Sequence, residues 1–215
     1  MPIDVSVVGR VEPTWFVVSA VLFFAGVAVS YPVAKREVSL LTAYPLWIWK
    51  RVHESISPDD PWLKLFVFLL TFNATSLLVN FLSGFFVILP PVFAFLLGLN
   101  IGVISVEEAG ATGLGAMLLN PVAWLELPAA WVSLAIGTQL GIATASGGLS
   151  GALAVFPELA EVYLYIVLPL LLAAALLEAT LIRILGGGME NEERGGEPSR
   201  DVTETSTEKS TEPRG

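Results

Sequence analysis

The sequence contains no cysteine and a single histidine, His53. The first absence excludes disulfides, thiol catalysis and cysteine-held metal. The second excludes histidine clusters and most histidine-based catalysis. Charge is also scarce, at 14% of residues, against about 25% in a typical soluble domain. No lysine or arginine occurs between Lys64 and Arg183. The long central body therefore offers no basic surface for phosphate, and no nucleic acid is expected as a partner. There is no phosphate-binding glycine loop, no G-x-S-x-G and no H-E-x-x-H. The hydrophilic stretches are too short for a catalytic domain, so the expectation is a protein that is not an enzyme and has no cofactor or metal. What the chain has instead is apolar residues, 54% of its 215, gathered in long runs. That composition predicts an all-α polytopic membrane protein of one domain, with the lipid bilayer as its first partner.

Residues 1–13 form a short polar lead. The run 14–33 is long enough for a first transmembrane helix and too long for a cleavable signal. Residues 34–62 form a basic connector within the membrane domain 14–185. It carries Lys35-Arg36 and Lys50-Arg51, with Lys64 just beyond. Tyr44-Pro45-Leu46-Trp47-Ile48-Trp49 lies between them and reads as a short helix in the headgroup region. His53, among these charges, reads as a solvated surface residue. Asp60-Pro61 reads as the start of the second transmembrane segment.

That second segment covers 63–89. Asn73, Ser76, Asn80 and Ser83-Gly84 recur at helical spacing and predict one polar stripe facing other helices. Asn73-Ala74-Thr75 matches a glycosylation pattern but lies at membrane depth. Pro90-Pro91 is expected to break the run. The third segment, 92–105, has Ala94, Gly98 and Gly102 at four-residue intervals, with Asn100 as its polar member. Residues 106–110 are expected to be a loop or helix end. Residues 111–119 are short, apolar and glycine-rich, and read as a re-entrant half-helix or the first turns of a longer bent helix. The fourth segment, 121–143, carries Ala129, Ser133, Gly137 and Gly141 on one face. Residues 144–157 are expected to be a flexible connector. The fifth segment, 162–185, contains Pro169 and Glu178. The tail, 186–215, has eight acidic and four basic residues, which accounts for −4 of the net −9. It is expected to be disordered, because it cannot bury enough apolar surface to fold alone.

The chain is organised around Asn120-Pro121-Val122-Ala123-Trp124-Leu125-Glu126-Leu127-Pro128. A carboxylate and two prolines sit in the middle of an apolar stretch. A charge at the bilayer centre costs about 2.5–3.5 kcal/mol on insertion scales. Proline frees a carbonyl that something else must satisfy. Glu126 is therefore expected to face protein or water, and Pro121 and Pro128 to interrupt the helix. Glu178 is a second carboxylate within an apolar helix. The candidate polar set is Glu126, Glu178, Asn73, Asn80, Asn100, Pro121 and Pro128. Five spans, with positive charge kept inside, predict a multi-pass cell-membrane protein with its N-terminus outside and its tail cytoplasmic.

From about Leu63 to Ile184 the chain resembles the stage II sporulation protein M (SpoIIM) family. The resemblance rests on Asn73, Gly84, Asn100 with Gly102, Glu126-Leu127-Pro128-Ala129, the small-residue helix to Gly141, and Glu178-Ala179. The family signature has proline-histidine-glycine before its glutamate. Here the histidine and glycine positions are Val122 and Ala123, so any role of that histidine is absent. The resemblance implies a five-helix membrane protein without a catalytic domain. The family's namesake takes part in engulfment during sporulation, with partners that degrade peptidoglycan. Relatives occur in organisms that do not sporulate, archaea included, and some bacterial ones are encoded near MoxR-type ATPases.

Two readings follow. The first is a non-enzymatic scaffold or assembly subunit in a membrane or envelope-remodelling complex, with membrane or cytoplasmic protein partners. The second is a transporter or permease subunit using Glu126 and Glu178, whose lack of a cationic partner leaves them to a proton or a bound cation. The glycine-lined helices can pack within one chain or between copies, so a homo-oligomer stays open.

Overall fold

The computed structural model describes residues 5–36, 38–57 and 59–195. Among these there are helices and turns and no strand. The helices are α1 (Pro13–Lys35), α2 (Ser39–Ser55), α3 (Trp62–Leu82), α4 (Leu89–Ala109), α5 (Ala111–Leu119), α6 (Ala123–Val162) and α7 (Leu168–Gly195). A 3-10 turn at Val5–Arg10 precedes α1, and another at Ser83–Phe86 ends α3. Four helical stretches are long and apolar enough to cross a bilayer: Pro13–Lys35, Trp62–Phe86, Leu89–Ala109 and Ala123–Ile184. Between 22% and 39% of each is buried. The rest is an apolar outer surface, with Val17, Val21, Phe24, Val67, Val79 and Leu164 all exposed. Such a surface needs hydrocarbon around it. The molecule is an all-α polytopic membrane protein.

The last of these stretches is 62 residues long, far more than the ~20 that one crossing takes. It folds back on itself at Gly148, where φ is 60° and ψ is −153°, a region that essentially only glycine adopts. The two arms of α6 run antiparallel. A side chain at Gly151 would stand 2.6 Å from the Ala143 carbonyl. Ala152, Leu159 and Val162 of the second arm share a core with Ala129, Val132, Ile136 and Leu140 of the first. The bundle thus has five long helical segments. The flexible connector expected at 144–157 is replaced by helix around a one-residue turn. In hydrocarbon every backbone group must be bonded within the protein, so a tight turn wins over loose chain.

Other boundaries also move. Pro90 and Pro91 do not end a run but open α4, in the first-turn positions where proline has no donor to lose. Residues 106–109 belong to α4, which ends at Gly110 with φ 62°. Asp60 does not cap α3. Its carboxylate accepts from the Ser57 N–H at 2.9 Å and pairs with Lys64 at 2.7 Å. The Lys64 ammonium first, and the Ser57 N–H second, hold the Asp60 carboxyl below its usual range. Pro169 is accommodated by a π turn at Tyr163–Val167, where the Leu168 N–H reaches the Tyr163 carbonyl, five residues back. The second arm of α6, this turn and α7 make one continuous rod. The rod runs past Leu185 to Gly195, and residues 196–215, the rest of the expected tail, lie outside the described residues. So does the side chain of His53.

Packing is set by close backbone approach. Gly26 of α1 lies against the Phe95 carbonyl, and Gly98 of α4 against the Phe23 carbonyl. Neither position has room for a Cβ, so α1 and α4 meet backbone to backbone. Gly84 lies against the Gly137 carbonyl in the same way and brings the end of α3 onto α6. α2 places Leu41 and Leu46 against Val33, Leu99 and Val103. It leaves Tyr44 and Trp47 exposed, stacked 6.4 Å apart, with Arg51 over the Trp47 ring. This is an amphipathic helix suited to the headgroup region.

Gly98→Val should destabilise the protein by about 1–3 kcal/mol through forced overpacking. Unfolding titrations in mixed micelles measure this, and an unchanged midpoint would show that α1 and α4 are not held at this point.

Candidate functional site

The break before α6 is made by its sequence. Asn120 is extended (ψ 119°), and its side-chain oxygen accepts from the Val122 N–H at 3.0 Å across Pro121. α6 then starts at Ala123, which puts Glu126 in its first turn. There the helix dipole favours an acid. Pro128 follows inside the helix without stopping it. Its missing N–H frees the Trp124 carbonyl. The interruption expected at Pro128 is therefore absent, and the break lies only at 120–122. α5 is a separate helix of nine residues folded back on α4, with Gly113 pressed on the Ser105 carbonyl. It is not the first turns of α6. The Trp124 indole N–H donates to the Leu118 carbonyl at 2.9 Å and ties the two together.

Glu126 accepts a hydrogen bond from the Asn73 amide of α3 at 2.5 Å. Asn73 lies about 16 Å along α3 from Trp62, at 1.5 Å per residue. That is near the middle of a ~30 Å hydrocarbon core. Glu178 of α7 lies nearer the Trp62 end of α3, two residues from Thr180, whose hydroxyl accepts from the Trp62 indole. Leu65, Leu69, Ala175 and Ala179 pack together between α3 and α7 beside it. Among the described residues neither Glu126 nor Glu178 is in an ion pair, and no three His, Cys, Asp or Glu side chains converge on one point.

Around these carboxyls α3 is tied to its neighbours by uncharged groups. The Tyr163 hydroxyl donates to the Ala74 carbonyl at 2.5 Å, and the Ser133 hydroxyl to the Leu77 carbonyl at 2.5 Å. Trp62 donates to the Thr180 hydroxyl at 3.3 Å. Asn73, Tyr163 and Ser133 thus form a ladder along α3, binding it to the first arm of α6 and to the start of the π turn.

The polar residues predicted as one stripe split in two. Asn73 and Gly84 face α6, and buried Ser83 bonds back to the Asn80 carbonyl. Ser76 and Asn80 turn away and line a cleft of about 1010 Å³ between α3 and α4, with Asn100 on its other wall. So Glu126 and Asn73 come together, Glu178 lies on α7 without a hydrogen bond to either, and Asn80 and Asn100 belong elsewhere. Pro121 is exposed in the linker and Pro128 half-buried beside the ladder. Sequence reasoning missed Tyr163. It also missed the far end of the bundle, where Gln139 bonds the Arg10 carbonyl and the Glu12 N–H, and Arg10 pairs with Glu161. The signal was present: a tyrosine, a glutamine and two glutamates around an otherwise apolar hairpin.

Residues 19–181 match the family model described as Stage II sporulation protein M. No curated protein and no solved structure matches the chain.

Glu126→Gln keeps an acceptor for Asn73 and should leave thermal stability in detergent nearly unchanged, whereas Glu126→Leu should lower it. In a double-mutant cycle, Glu126→Leu with Asn73→Leu should show coupling of about 0.6–1.7 kcal/mol, the range of hydrogen bonds between membrane helices. Additive losses would mean that the two side chains do not act together.

Proposed function

The chain belongs to the stage II sporulation protein M family, and from that premise we propose that it is a non-enzymatic scaffold or assembly subunit of a membrane complex. One observation carries this reading. Glu126, Ser133 and Tyr163 each make a hydrogen bond with α3, and neither Glu126 nor Glu178 is among the residues lining the α3–α4 cleft or the smaller cleft at Arg10. A carboxyl engaged with a neighbouring helix in this way serves packing. It gives the bundle a fixed shape to present to membrane or cytoplasmic proteins. The family's link with envelope remodelling fits a partner of that kind, and sporulation itself need not be assumed.

The second reading is a transporter or permease subunit. Two intramembrane carboxyls, Glu126 and Glu178, neither in an ion pair among the described residues and the first beside an interrupted helix, favour it, because such groups can hold a proton or a cation in turn.

The orientation we propose is N-terminus outside and tail cytoplasmic. Trp62 meets Thr180, so the ends of the bundle sort clearly. Lys35, Arg36, Lys50, Arg51, Lys64 and Arg183 gather at or near one end. Arg10 stands at the other, with Glu12, Glu158 and Glu161. That asymmetry is what the positive-inside rule reads.

Mass spectrometry after mild crosslinking in native membranes should recover a stoichiometric partner. A clean homo-oligomer with nothing attached would overturn the scaffold reading in favour of transport. Single cysteines at Lys50 and Ser210 should resist membrane-impermeant thiol reagents applied outside the cell, and labelling of Lys50→Cys from that side would reverse the orientation.

A further inference from the structure

We infer that the cleft between α3 and α4 is the seat of one transmembrane helix from a different protein, presenting an amide or hydroxyl side chain at mid-membrane depth. The inference rests on the scaffold reading and names its docking surface.

α3 and α4 are consecutive, yet they part. α4 is drawn to α1 by Gly26 and Gly98, while α3 is drawn to α6 by the ladder and to α7 by the packing of Leu65 and Leu69 on Ala175 and Ala179. The cleft this leaves has walls such as Phe68, Phe72, Phe93 and Leu96. These suit any apolar occupant, but Asn80 and Asn100 are more demanding. Asn100 lies about 16 Å from the start of α4, by helical rise, and so at mid-membrane depth. Among the described residues, neither Asn80 nor Asn100 has a hydrogen-bond partner for its side-chain amide. Ser76 spends its hydroxyl on the Phe72 carbonyl.

An amide left unpaired in hydrocarbon costs on the order of 4–8 kcal/mol. Lipid tails offer it nothing, and for Asn100 a headgroup lies a half-bilayer away; Asn80, about 27 Å along α3 from Trp62, lies nearer the far surface. A helix carrying Ser, Thr, Asn or Gln supplies the missing bond. The cleft also has the right size. A volume of about 1010 Å³ holds roughly 13 Å of a helix about 10 Å across, more than two turns. A second copy of this chain fits poorly. Its outward faces on α1 and α7 are lined by apolar residues such as Val21, Phe24, Leu172 and Leu176, and its exposed hydroxyls, Ser146 and Ser150 at the hairpin tip and Thr180 level with Trp62, lie towards the ends of the bundle. Two clefts placed face to face would enclose a void.

The test uses the full chain in native membranes, with a photoreactive residue at Thr75 in the cleft or at Val21 on the outer face of α1. Amine-reactive crosslinking of the same membranes runs alongside. Thr75 should give a discrete adduct with a membrane-spanning protein that Val21 does not give. Asn100→Leu should cut that adduct at least five-fold, and Asn100→Gln should retain it. The thermal midpoint of Asn100→Leu in detergent should match the parent, since this amide bonds nothing within the chain. Adducts with lipid alone, or with a second copy, would overturn the inference, as would a destabilised Asn100→Leu. If amine crosslinking finds a partner that Thr75 misses, the docking site is wrong and the scaffold reading stands. If neither finds one, both fall.

Discussion

Inside a bilayer, leucine gains little by touching leucine, because lipid tails are as apolar as the side chains they replace. Helices must be held by close fit and by bonds that lipid cannot offer. The backbone contacts at Gly26, Gly98, Gly84 and Gly137 supply the first. The Asn73, Ser133 and Tyr163 bonds supply the second. Everything else follows from where these two kinds of contact lie. The glycine pairs fix α1 on α4 and the end of α3 on α6. The ladder then fixes how deep α6 and the π turn after it sit beside α3. The α3–α4 cleft is the space left between two well-made halves.

The absence of cations in the body shapes the chemistry as much as the acids do. Glu126 is met by an amide and by a helix N-terminus, both uncharged. A buried ion pair pays heavy desolvation, and removing one partner of it is severe. Here the stabilising groups are dipoles, which ask less of the surroundings. Val122 stands as a buried apolar residue at the foot of α6, and its N–H closes the turn onto Asn120 that delivers Glu126.

Much of this was legible in the sequence. Apolar length gave the spans, and small residues at four-residue spacing gave the contact faces of α4 and α6. Glu126 and Asn73 could be singled out because hydrocarbon makes any polar group expensive. What was not legible depends on angle and distance. A helical repeat places Asn73 and Asn80 near each other in projection, yet the seven-residue separation and the splay of α3 from α4 send them to different neighbours. The segment 144–157 read as loose because glycine and serine are common in linkers. In hydrocarbon the same small residues let two arms pack closely, and only Gly148 had to leave the helix. Proline misled in both directions, since Pro91 opens a helix and Pro128 rides within one. The placing of Glu178 beside α3 needed the hairpin itself, because nothing in the spacing tells that the rod returns to the same helix.

The turn at Gly148 bears on how the protein is made. It is flanked by Ser146, Gly147, Leu149 and Ser150, and from Glu126 to Glu158 the chain has no charged residue. A hairpin tip with nothing ionised at its apex is cheap to push through a membrane. Glu158 and Glu161 follow it on the second arm, at the end of the bundle that Arg10 occupies, so carrying the apex to that side means carrying two carboxyls with it. The pairing of Arg10 with Glu161 then gives one of them a cation that the hairpin, which holds no lysine or arginine, does not itself supply.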